Sequence, residues 1–319
     1  MDYRQIIAES WVYTQKSKKL IFWFGFIPSI LTTTVGAGYI SYQFFAFKKS
    51  YLFGDEHGSF LKDVVTFIWE FIKSHVSLTL PLVITVAVLA LIYLLYPTLA
   101  KAAAIQTIAR NKNGQPAGVG TGLRYGIMSY LQLFEYHLLI KTFSFFSVLI
   151  EMSFVVRNLG LALFEILLPV FILFIIIGFI LTLLFIYTDF YIVIDGESVF
   201  DSIKKSAKLV IMNWKHTFLI TILMVIIGIR IIIQAVMVFL IPAIIVLITG
   251  YIATVALPVT GLLVGGIVGV AMLILSAYLT GIVDIFSYTV WTYTFLTSLS
   301  MALKAAVDSM GTSSMIKIR

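Results

Sequence analysis

Polar positions along this chain come in short bursts, and the apolar stretches between them are too long for the interior of a water-soluble domain. Six such runs stand out, at roughly 20–47, 76–99, 136–157, 160–193, 217–248 and 260–298. A helix crossing a bilayer needs about 20 apolar residues. Each run therefore predicts a transmembrane span, and the longer ones predict tilt, kinks or projection beyond the lipid. Pro28, Pro81, Pro169 and Pro242 fall inside them as kink points, since proline removes a backbone donor and crowds the preceding turn.

A second pattern precedes several spans. Between residues 199 and 214, Val199, Ile203, Ala207, Val210 and Trp214 recur at helical spacing, with Asp201, Lys204, Lys205, Lys208 and Lys215 largely off that stripe. This predicts an amphipathic helix lying in the membrane interface with its lysines toward lipid phosphates. The competing reading is an extension of the following span packed on its neighbours. Tyr3, Ile7, Trp11 and Thr14 repeat the spacing before the first span, and Val119, Leu123, Ile127, Tyr130 and Phe134 repeat it before the third. Aligning Ile7, Leu123 and Ile203 gives one unit three times: entry helix, span out, span back. The expected architecture is all-α and polytopic, with six transmembrane helices as three hairpins. It is a single membrane domain over 1–319, with repeat-like units 1–100, 115–195 and 196–300 and a cytoplasmic tail at 301–319. Residues 59–75 form a further amphipathic stretch, either an outer interfacial helix or the start of the second span.

Composition agrees with a bilayer as solvent. Hydrophobic residues make up 61% of the chain and charged residues 12%, and the mean hydropathy is +1.05, against about 25% charged residues in a typical soluble domain. The net charge of +7 is read through topology rather than nucleic acid, because basic excess in membrane proteins gathers on the cytoplasmic side. Fifteen lysines and arginines fall before span one, between spans two and three, between spans four and five, and after span six; five (Lys48, Lys49, Lys62, Lys73 and Arg157) fall on the other side. An even span count with both termini in the cytoplasm follows, in the cytoplasmic membrane. Leu20 onward is expected to be a retained first span rather than a signal peptide. There is no cysteine, which removes disulfides, thiolate metal sites and thiol nucleophiles.

Charges inside spans are costly and mark candidate functional positions. Arg230 lies 15 residues past Lys215, about 22 Å along a helix, deep in the core. Asp284 lies about 10 Å in from Trp291, and a buried Arg230–Asp284 bridge is one arrangement; separate solvation of each is the other. Asp189 sits about two turns from the cytoplasmic loop, a position that suits a structural role. Lys204, Lys205, Lys208 and Lys215 are candidate contacts for anionic headgroups on the cytoplasmic side. Gly261, Gly265 and Gly269, with Ala277 and Gly281 beyond, form a face suited to close helix packing, within this chain or against another copy. The glycine-rich 114–122 has no P-loop pattern and is read as a loop. No catalytic, metal or cofactor constellation stands out, so no cofactor and no enzymatic activity are expected.

The stretches "KKLIFWFGFI" at 18–27 and "GESVFDSIKKSAKLVIMNW" at 196–214 resemble a group of prokaryotic six-span proteins similar to the membrane domain found beside some glycerophosphodiester phosphodiesterases. The matching residues are Trp23 and Gly25 at the opening of span one, and Gly196, Ser198, Val199, Ser202, Ile203, Lys204 and Ser206 before span five. The catalytic phosphodiesterase domain of that group is absent. The resemblance thus implies a membrane module without inherited enzyme activity. Two functions are expected from different classes. One is a non-enzymatic module that interacts with lipid or serves a membrane partner, possible partners including a second copy of the chain. The other is a small-solute or ion transporter or channel using Arg230 and Asp284.

Overall fold

The computed structural model describes residues 3–48, 60–141, 145–229 and 258–316, and every described element is helical. Helix α1 (Tyr3–Lys16) breaks at Ser17. Helix α2 starts at Lys18–Leu20, passes through a π-helical stretch at Ile21–Phe26 and continues as Ile27–Lys48. Then come α3 (Phe60–Ser74), α4 (Val76–Lys112), α5 (Val119–Lys141), α6 (Phe145–Leu159) and α7 (Leu161–Leu184). A short turn of helix, α8 (Thr188–Phe190), runs into a second π-helical stretch, Tyr191–Asp195. Helices α9 (Val199–Met212), α10 (Trp214–Ile229) and α11 (Pro258–Ile316) complete the chain.

Four described helices are long and apolar enough to cross a membrane: Lys18–Gly36, Val76–Lys112, Leu161–Leu184 and Gly266–Lys304. The bent pair α9–α10 raises the number to five. The expected third span is divided between α5 and α6, and the fifth is described only as far as Ile229. Arg230 and Pro242 lie outside the described residues. Residues 59–75 give a helix of their own, α3, broken from α4 at His75.

The packed core lies at one end of the bundle. The first half of α4 exposes its leucines, isoleucines and valines, from Val76 to Leu95, whereas Ala100, Ala102, Ala103, Ala104 and Ile105 one to two turns on are wholly buried. In water the exposed half would be a large apolar patch; in a bilayer it is an ordinary surface. The alanine half admits α5 at close range. A Cβ on Gly126 would lie 2.9 Å from the Ala103 nitrogen, and one on Gly122 would collide with the Thr107 hydroxyl. The spacing Gly122-x-x-x-Gly126 is the small-residue signature of such a contact. It begins inside α5, so only residues 113–118 of the glycine-rich stretch form the connecting turn.

The three entry helices share a rule that differs from the expected one. On α1 the buried residues are Ile6, Ser10 and Thr14, while Trp11 is exposed. On α5, Ser129, Leu133 and Tyr136 are buried along with Gly122 and Gly126, while Ile127 is exposed. On α9, Val199, Ser202, Ser206, Leu209 and Val210 are buried, while Phe200 and Ile211 are exposed. On α5 the face turned to the protein is one residue round from the expected stripe; on α1 it shares Thr14 with that stripe, and on α9 it takes in Val199 and Val210 of it; in all three it is rich in small side chains. Lipid already satisfies large apolar groups, so close helix approach selects glycine, alanine and serine instead.

The other tight crossing joins the π-helical stretch of α2 to α11. A Cβ on Gly25 would stand 2.5 Å from the Gly281 carbonyl oxygen, and one on Gly281 would stand 2.6 Å from the Gly25 carbonyl carbon. Gly281 is therefore the working member of the glycine-lined face of α11. A Cβ on Gly269 would meet open space, and the surroundings of Gly261 and Gly265 lie outside the described ones.

Candidate functional site

After α7 the backbone stops being regular. The segment from Phe185 to Asp195 threads through the packed end of the bundle instead of running along its surface. Several of its backbone polar groups are met by side chains from neighbouring helices, since a backbone group buried without a partner is costly. Ser206 of α9 donates its Oγ hydrogen to the Leu184 carbonyl at 2.8 Å and accepts from the Tyr187 amide at 3.1 Å. Tyr136 of α5 donates to the Phe185 carbonyl at 3.2 Å. Gln106 of α4 donates to the Val193 carbonyl. Tyr187 is fully buried and shares a hydrogen bond of 3.2 Å with Thr217 of α10. Gly196 then takes a left-handed φ of 69°, a conformation that glycine adopts at no steric cost. Ser198 caps α9 by accepting from the Asp201 amide at 3.3 Å.

This irregular segment carries Asp189 into contact with two other ionisable groups. The Lys101 ammonium of α4 pairs with Asp189 Oδ2. His137 Nε2 of α5 lies 3.3 Å from Asp189 Oδ1 and 3.4 Å from Lys101 Nζ. The side chains stay partly accessible, at 24% for Lys101, 15% for Asp189 and 31% for His137. The Lys101 ammonium also stands 5.9 Å from the ring centre of Tyr288 on α11. One turn before Tyr288, Asp284 accepts a hydrogen bond of 3.2 Å from Ser29 of α2.

Two cavities meet at this cluster. One, of about 400 Å³ between α2, α4 and α5, is lined by Thr32, Tyr93, Leu94, Phe134 and His137 among others. The other, of about 290 Å³, has Lys101 and Asp189 in its wall and the rings of Tyr136, Phe190, Tyr288 and Trp291 around them. Ile140 borders both. Among the described residues no group of three histidines and carboxylates is placed to hold a metal ion.

The sequence-derived candidates separate as follows. Asp189 is brought together with Lys101 and His137, and Asp284 lies close by with Ser29 as its hydrogen-bond partner. Arg230 is outside the described residues. Lys101 and His137 were not singled out from sequence. Their signal was the lone lysine in "TLAKAAAIQ" and the lone histidine in "FEYHLLI", the first just past the end of one apolar run and the second at the opening of the next.

On α9, Lys204, Lys205, Lys208 and, just past its end, Lys215 are all exposed. Lys205 pairs with Glu197, whose hydrogen bond raises the lysine pKa above its ordinary value. Helix α9 meets α10 at 96°. It packs on its neighbours through the serine face and turns sharply into the next helix. Comparison with protein-family models, with curated proteins and with solved structures finds no match for this chain.

Proposed function

We propose that this chain is a non-enzymatic integral module of the cytoplasmic membrane that engages anionic lipid headgroups and serves a membrane partner or a second copy of itself. It has six spans arranged as three hairpins, with both termini in the cytoplasm. The group resembling the phosphodiesterase membrane domain is proposed as its kin. The observation that carries this reading is the divided surface of α9. Its serine face is buried against the bundle, and on the exposed side Phe200 and Ile211 interleave with Lys204 and Lys208 at i,i+4 and i,i+3 spacing, with Lys205 on the flank, so that long lysine stems can carry their charges to the phosphates beside apolar groups sunk in lipid. A helix turned 96° from the next one with that division suits the boundary between acyl chains and phosphates. The repeat gains support from register: Ile6, Gly122 and Ser202 are equivalent and all buried, as are Ser10, Gly126 and Ser206.

The test uses Trp214, which is exposed beside the lysines. In reconstituted protein, brominated phosphatidylglycerol is expected to quench Trp214 more strongly than brominated phosphatidylcholine, with Trp214→Phe defining its share of the emission. A basic residue at an anionic surface is worth about 1 kcal/mol, so changing Lys204, Lys205, Lys208 and Lys215 to glutamine should erase the preference. Equal quenching by both lipids in the unmodified protein would rule the reading out.

A transporter or channel is the second reading, favoured by the meeting of Lys101, His137 and Asp189 between two cavities with Asp284 near. Its measurement is proton movement into dye-loaded proteoliposomes under an imposed gradient. Flux lost in Asp189→Asn and Asp284→Asn supports it; identical flux in empty vesicles and protein-containing ones opposes it.

A further inference from the structure

The cavity of about 290 Å³ beside Lys101 and Asp189 has a composition that neither lipid anchoring nor packing accounts for. We propose that it binds a small zwitterion, a ligand carrying an ammonium and an anionic group a few ångström apart. The reading concerns this cavity alone and stands apart from the headgroup contacts of α9.

The argument begins with charge. Lys101 and Asp189 sit side by side in the wall, and both remain partly exposed, at 24% and 15%. A simple anion entering here would meet Lys101 but also Asp189, with Asp284 behind. A simple cation would meet Asp189 but also Lys101. A ligand with both charges meets a complement at each end and leaves no like charges facing. Phe190, Tyr288 and Trp291 line the same cavity, and aromatic ring faces attract cations, so the wall offers an incoming ammonium more than the Asp189 carboxylate alone. The Lys101 ammonium at 5.9 Å from the Tyr288 ring is an instance of that attraction within the site.

Geometry limits the ligand further. A volume near 290 Å³ is at the small end of ligand cavities, about 300–1,000 Å³, which suits a headgroup-sized molecule and excludes a whole lipid. Thr182, exposed on α7, lies at the rim, so entry is from the side between helices. His137 lines the other cavity and approaches Asp189 Oδ1 to 3.3 Å, and it is not part of this cavity's wall. A buried ion pair is weak as a stabilising device, since apolar side chains of the same volume serve equally well. A pair set in a cavity wall instead offers recognition. The same chemistry occurs in free betaines and amino acids and in phosphocholine or phosphoethanolamine headgroups.

The experiment separates these sources. The full-length protein is reconstituted in nanodiscs of phosphatidylglycerol and titrated with glycine betaine, with Trp291 emission as the readout and Trp291→Phe as its control. In parallel, nanodiscs of mixed phosphatidylethanolamine and phosphatidylglycerol are examined by native mass spectrometry for a retained lipid. A saturable betaine response assigns a free zwitterion; retention of phosphatidylethanolamine without a betaine response assigns a headgroup. In either arm the double variant Lys101→Gln/Asp189→Asn is expected to bind at least tenfold more weakly. That variant leaves no orphan charge and keeps its thermal transition. Thr182→Trp, at an exposed rim position, is expected to block entry without touching the pair. The proposal is overturned if the unmodified protein binds in neither arm, if phosphatidylglycerol is retained as well as phosphatidylethanolamine, or if both variants bind as the unmodified protein does. Glutamine at the four lysines of the α9 region leaves this signal unchanged, so failure here and failure of the headgroup reading remain distinct.

Discussion

A methyl group has no room at position 281. Its Cβ would stand 2.6 Å from backbone atoms of Gly25 and Phe26, and backbone cannot rotate aside as a side chain can. Overpacking of this kind costs about 1–3 kcal/mol, so Gly281→Ala should lower the melting temperature followed by fluorescence-detected size exclusion. Gly269→Ala, with open space around it, should leave it unchanged. Asp189 makes a second prediction at this scale. Asp189→Asn strands the Lys101 ammonium; such a loss costs about 3–5 kcal/mol when fully buried and about 2 kcal/mol here after solvent screening of a partly exposed pair. The Lys101→Gln/Asp189→Asn double variant should melt closer to the unmodified protein than Asp189→Asn alone. Asp189 and Asp284 were legible in the sequence because acids within apolar runs are conspicuous. Lys101 and His137 were not. A lysine just past the end of an apolar run reads equally well as a topological charge, and its nearness to Asp189, 88 positions away, depends on how the chain turns after α7.

At the scale of the element, the helical period of the entry helices was legible and the face they bury was not. Hydrophobic periodicity locates a stripe, but in a bilayer both sides of a helix can be apolar. Size rather than hydropathy then decides which side meets protein. Helix α9 tests this. Ser206→Val removes the partner of the Leu184 carbonyl and the Tyr187 amide and adds bulk where the helix is buried. A loss of about 2 kcal/mol is expected from the orphaned groups, whereas Phe200→Ser on the exposed face should change stability far less. A solvent melt ranking these in the reverse order would mean that α9 turns its large residues inward. Helix α1 adds a pH dependence. Glu9 is hydrogen-bonded to Lys112 at 2.8 Å, and that bond, with one from Gln5, holds its carboxyl below the ordinary glutamate range. A lowered carboxyl stabilises the fold fully above its unfolded pKa and loses that contribution as pH falls through the lowered folded value. Both partners are 41% exposed, so the contribution is at most about 1 kcal/mol. Melting measured from pH 7 to pH 3 should show it as a small acid-side loss that Glu9→Gln removes.

For the whole molecule, the decisive quantity is which end faces which compartment. The packed end gathers α1, the alanine half of α4, the start of α5, the Tyr191–Asp195 stretch and α9. They are tied by Lys112–Glu9, Gln106–Val193 and the Tyr3–His216 contact. Lys16, Lys112, Arg124, Lys204 and Lys208 belong to these same elements, so the side assigned to the cytoplasm by counting basic residues coincides with one structural end. The clustering of basic residues is legible in a sequence because loop charge and span order are local properties. The packing of that end was not legible, because it depends on contacts across more than a hundred residues. The absence of cysteine makes the orientation testable without background. Single cysteines at Lys16, Asn113 and Lys304, all exposed positions, should react with a membrane-impermeant maleimide only after permeabilisation. Ser74→Cys, exposed at the end of α3, should react in intact cells. An even number of crossings forces Lys16 and Lys304 to the same side. Labelling from opposite sides would mean that the unbroken helices outnumber or fall short of six by an odd count, and that α9 with α10, or α5 with α6, enters the membrane and returns to the same face.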